Sequence, residues 1–70
     1  MSDFSTIVAR VIDSCQKQKQ NSGTTHTSSA MVQRHARHHL RVANGGRDVP
    51  PSLWEPVAEA AYRALTYPSD

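Results

Sequence analysis

The groups in this chain most capable of chemistry are four imidazoles and one thiol, and His35, His38 and His39 fall within a single short stretch. His35 and His39 stand four apart, the spacing at which two rings on one helical face can share a metal, with His38, His26 or Cys15 as a third ligand. The stretch lacks the glutamate of an H-E-x-x-H motif, and no second pair of Cys or His stands at zinc-finger spacing. The plainer expectation is that both rings edge a small core and bond to backbone or water, so neither metal nor cofactor is expected. Half-buried rings of that kind would resist protonation, and acid near pH 6 would weaken the fold or an interface. Cys15 continues an apolar helical face and reads as a small buried hydrophobe, since a nucleophile would need a base beside its thiolate. Paired-carboxylate motifs, glycine-rich phosphate loops and G-x-S-x-G are absent from the sequence. The expected protein is therefore not an enzyme.

The other reactive feature is cationic. Arg34, Arg37 and Arg41 recur at i, i+3 and i+7. At 100° per residue they fall on one side of a helix, roughly opposite the arc that carries Met31, Val32, Ala36, His35 and His39. His38 sits at the edge of the stripe. Arg47 extends it beyond the helix, and Lys17 and Lys19 are further candidates for the same surface. Positions 14–47 contain no acid, so the sequence supplies no counter-charge nearby. Guanidinium groups so arranged suit carboxylates or phosphates through their planar donor fork. Yet no aromatic is interleaved among them in sequence, and no helix-turn-helix register appears. The expected binding residues are Arg34, Arg37, His38, Arg41 and Arg47, together with Tyr67 as an exposed aromatic anchor.

Three amphipathic helices must position these groups. Phe4, Ile7, Val8, Val11, Ile12 and Cys15 follow the i, i+3, i+4 pattern, predicting a helix near 4–20 with Asp3 or Ser2 as N-cap and Gly23 as terminator. A Ser/Thr-rich loop leads to a second helix near 28–44, started at Thr27 or Ser28 and stopped by Asn44, Gly45 and Gly46. The third is expected near 53–66. Ser52 to Glu55 reads as a capping box, or else Pro51 to Glu55 forms a short 3₁₀ turn ahead of a helix with Pro56 at N1. Leu53, Trp54, Val57, Ala58, Ala61, Ala64 and Leu65 make its apolar face, with Trp54 expected at the centre of the core. Pro68 is expected to close it.

The fold class expected is all-α, a single three-helix domain over residues 1–70. A chain of 70 residues buries only about 60% of the surface it exposes when unfolded, so its core is thin and help from a dimer or a partner is in keeping with its size. The lone cysteine excludes an intrachain disulfide, no secretory leader or membrane-length apolar run appears, and a cytoplasmic setting is the expectation. A formal charge of +2 is too small for bulk nucleic-acid packaging. The function that fits is a small regulator or inhibitor, of the kind viruses and plasmids encode against a host protein, which docks its basic second helix on an acidic protein surface. The alternative is a nucleic-acid-binding regulator that uses the same stripe, as a homodimer.

Overall fold

The computed structural model describes residues 3–24 and 26–67, in three helices with no strand among them. Helix α1 spans Phe4–Ser22, α2 spans Ser29–Ala43 and α3 spans Pro51–Thr66, and each packs on both of the others. The all-α three-helix class expected from the sequence is the class observed.

Helix α1 begins where Asp3, in extended backbone, accepts the Thr6 N–H at 2.8 Å on its side chain. That bond holds the Asp3 carboxyl below its usual pKa. The helix runs two residues past the predicted end because nothing in Gln16 to Ser22 interrupts it. It closes at Gly23, whose φ of 70° allows the Gly23 N–H to reach the Gln20 carbonyl and the Thr24 N–H to reach that of Lys19. This is a Schellman closure, and it needs a left-handed residue at that position.

Helix α2 starts at Ser28, whose hydroxyl accepts the Met31 N–H. It ends in the same manner as α1. Gly45, at φ 70°, and Gly46 donate to the Val42 and Arg41 carbonyls.

Helix α3 departs from expectation. Neither the capping box from Ser52 nor the 3₁₀ turn ahead of Pro56 forms. The helix instead begins at Pro51, after an extended Pro50 that makes no side-chain cap bond. The ring of Pro51 fixes φ near the helical value at a position whose N–H would have had no partner, so the helix starts there and Ser52 falls inside the first turn. Pro56 lies within the helix, on its exposed side. It removes the N–H that would have bonded the Ser52 carbonyl. Pro68 lies outside the described residues.

The core is built of small side chains. Ile7, Val11 and Cys15 from α1, Met31, Val32 and Ala36 from α2, and Val57, Ala58 and Ala61 from α3 are buried, and the largest that are fully so are Val11, Val32 and Cys15. Burial pushes the Cys15 thiol pKa up, so it is the protonated, inert form that packs there. Trp54 is not at the centre. It packs half-buried on the margin, against a core already filled by the smaller side chains of the three helices. Leu53 is 55% exposed and Ala64 is exposed as well, so the buried face of α3 is narrower than the sequence pattern suggested.

Candidate functional site

The two sides of α2 have separate fates. On the side facing α1, His35 bonds through Nε2 to Gln18 Oε1, and His39 Nε2 lies 2.7 Å from the Ser14 hydroxyl. The partners are side chains one helix away, where the sequence suggested backbone or water. Both rings are half-buried and their pKa values are lowered. Burial is the main cause for each, with the charges of Arg34 and His38 adding at His35, and those of His38, His35 and Arg10 adding at His39. Neutral rings are the stable form in that setting. No group of three or more His, Cys, Asp or Glu side chains arranged to hold a metal occurs among the described residues.

On the side facing away from α1, Arg34, Arg37, His38 and Arg41 line one groove of about 440 Å³ together with Ala30, Gln33, Asp48 and Trp54. All three arginines are exposed. Their i, i+3, i+7 spacing places the guanidinium groups along one edge, and the first turns of α3 supply the opposite wall. The α2–α3 loop is short, so the two helices are neighbours, and Trp54, in the first turn of α3, stands beside Arg37 in the middle of α2.

Arg37 occupies the middle. Its Cζ lies 5.7 Å from the centre of the Trp54 ring, within cation–π range, and its Nη2 lies 3.7 Å from Asp48 Oδ2. Arg41 donates from Nε to the Gly46 carbonyl at 3.0 Å, which tethers its stem while the residue stays exposed. Neither Arg34 nor Arg41 pairs with an acid among the described residues. His38 stands at the groove edge with its ring against that of His39, centroids 5.5 Å apart and nearly perpendicular.

Four of the six residues expected to bind are therefore brought together: Arg34, Arg37, His38 and Arg41. Arg47 is exposed but lies outside the groove lining, in the turn where Asn44 Nδ2 donates to its carbonyl. Tyr67, 73% exposed, borders a separate hollow with Arg63 and Ala64. Thirteen residues of α3 put it roughly 20 Å from Trp54 along the helix axis. Lys17 and Lys19 do not extend the cationic surface. Lys17 pairs with Asp13 at 3.1 Å, and Lys19 reaches the Thr27 hydroxyl at 2.8 Å. The acid-free span of sequence is thus not free of acid in space, since Asp13 and Asp48 reach into it from just beyond its two ends.

Sequence reasoning placed Trp54 in the core and gave Asp48 no role, yet these two shape the groove. The available signal was the loop: only seven residues join the two helices, which returns the start of α3 alongside α2. What fold and groove define together is a compact helical domain with a cationic cleft and an aromatic wall. No family model, curated protein or solved structure matches this chain.

Proposed function

We propose that this chain is a non-catalytic binding domain, a regulator or inhibitor that docks the arginine face of α2 on an acidic surface of a larger protein. One observation carries the reading. His35 and His39 are bonded inward to α1, while Arg34, Arg37 and Arg41 frame an open groove with Trp54 as its wall. Arginine and tryptophan are the side chains most often dominant in protein interfaces, and here they meet in one place. A partner carboxylate would replace water on the guanidinium groups of Arg34 and Arg41, which have no acidic partner among the described residues, forming charge-assisted and bidentate bonds.

The test is affinity capture with the tagged chain from cells in which it is naturally made, beside an Arg37→Glu/Arg41→Glu variant whose helicity is verified by circular dichroism. The proposal expects one discrete protein with the parent chain and none with the variant. Equal capture by both overturns it.

A second reading, nucleic-acid binding, gains support from Trp54, because an aromatic beside guanidinium groups is what single strands use for stacking. Arg37 already covers one part of that ring, however, and Asp48 places a carboxylate where a phosphate chain would run. Retention of an oligonucleotide on a mobility gel, with a steep salt slope flattened by Arg34→Ala/Arg37→Ala/Arg41→Ala, would favour this reading over the first. No retention at low salt removes it.

A further inference from the structure

Resting on the protein-docking reading, we infer that the segment the groove accepts is an acidic α-helix laid along α2, with carboxylates seven residues apart and an apolar side chain between them. Of the three guanidinium groups that line the groove, those of Arg34 and Arg41 have no acidic partner among the described residues. Seven residues at 1.5 Å each separate their Cα atoms by roughly 10 Å along the axis. A second helix repeats that rise, and positions n and n+7 fall on nearly the same side of it, so two of its acids meet both guanidinium groups at once. An extended chain does not match. Its side chains return to one face at about 7 and 13 Å, and the residue near 10 Å points away.

The middle of the groove selects differently from its ends. Arg37 is already flanked by Asp48 and the Trp54 ring, so the central contact presents an aromatic surface next to a carboxylate. An apolar residue at n+3 or n+4 packs on Trp54, whereas an acid there faces Asp48. Asp48 is in this sense a specificity residue, rejecting helices that are acidic throughout.

The experiment uses the full chain and synthetic alanine-based helical peptides, with binding read by Trp54 fluorescence or calorimetry. One peptide carries Glu at n and n+7 with Leu at n+3. A second has the same composition with the later Glu at n+5, on another face. A third replaces the central Leu by Glu. Poly-glutamate and a single-stranded oligonucleotide complete the set.

The inference expects the first peptide to bind at least tenfold more tightly than the second, and Arg34→Glu/Arg41→Glu to abolish that binding while circular dichroism shows the helices retained. It expects the third peptide to be weakened with the parent chain and to recover with Asp48→Asn. Equal binding of both registers and of poly-glutamate overturns the helix inference while leaving docking on acidic surfaces intact. Binding of the oligonucleotide alone overturns both. Binding of none of the probes overturns the inference of a helical ligand, with the capture experiment still deciding the wider reading.

Discussion

Two of the three histidines of α2 and its three arginines are placed in opposite ways. His35 and His39 are drawn against α1, bonded to Gln18 and Ser14, while Arg34, Arg37 and Arg41 stand in the open beside Trp54. The difference follows from what each side chain can give up. An imidazole can release its proton near neutral pH and enter a half-buried interface as a neutral hydrogen-bonding ring, whereas a guanidinium keeps its charge at any pH the fold survives. Burial therefore sorts the helix into a structural face and a face left over for binding. The arginines add little to the fold, and that is the reason to look for their use elsewhere.

The largest expected effect lies on the structural face. Val32→Asp places an unpaired charge at a site with no exposure, and the cooperative thermal transition should disappear. A folded variant with near-parent melting would break the account of the core. Next, Trp54→Ala removes a half-buried indole and its contact with Arg37, and should cost about 2 kcal/mol in urea unfolding, below the usual toll of a core tryptophan. A loss of core size would mean that Trp54 belongs to the structural side of the comparison after all.

The pH response sharpens the contrast. Folding lowers the pKa values of His35 and His39 below 6.5, so the unfolded chain takes up protons first as the solution is acidified. Their contribution to stability is intact above 6.5 and declines as the pH falls through the lower folded values. Melting temperature should accordingly drop between pH 7.5 and 5, and His35→Gln/His39→Gln should flatten that drop. The window stays above the range in which the Asp3 cap protonates, so a slope that persists in the double variant would point away from the α1–α2 interface. The smallest effect belongs to the arginines: Arg34→Ala/Arg41→Ala should change unfolding free energy by less than about 0.5 kcal/mol per residue, as exposed side chains outside any strong pair do.

Much of this division could be read from the sequence, and the failures have identifiable causes. The inward and outward sides of α2 follow from its 3.6-residue period, and Asp3, Gly23, Ser28 and the Gly45–Gly46 pair marked helix ends through their own backbone preferences. The start of α3 was misjudged because Ser52 carries a capping-box pattern, while the two prolines before it settle the backbone first. The groove was half legible. Its arginine edge lies within one helix and obeys a local period, but its other wall, Trp54 with Asp48, comes from chain beyond a turn. Periodicity shows which side of a helix is apolar; it does not show how deep a large ring sinks, and Trp54 stays at the margin of a core filled by smaller side chains.

Under the docking proposal, Arg34 and Arg41 stand open in the free protein and a partner covers both. Phenylglyoxal modification read by mass spectrometry, on the free chain and on the complex captured by it, measures this directly. The account predicts ready modification of both in the free chain and protection of both in the complex, while the exposed Arg10 and Arg63 react alike in the two states. Arg34 and Arg41 reacting in the complex as they do in the free chain would contradict it.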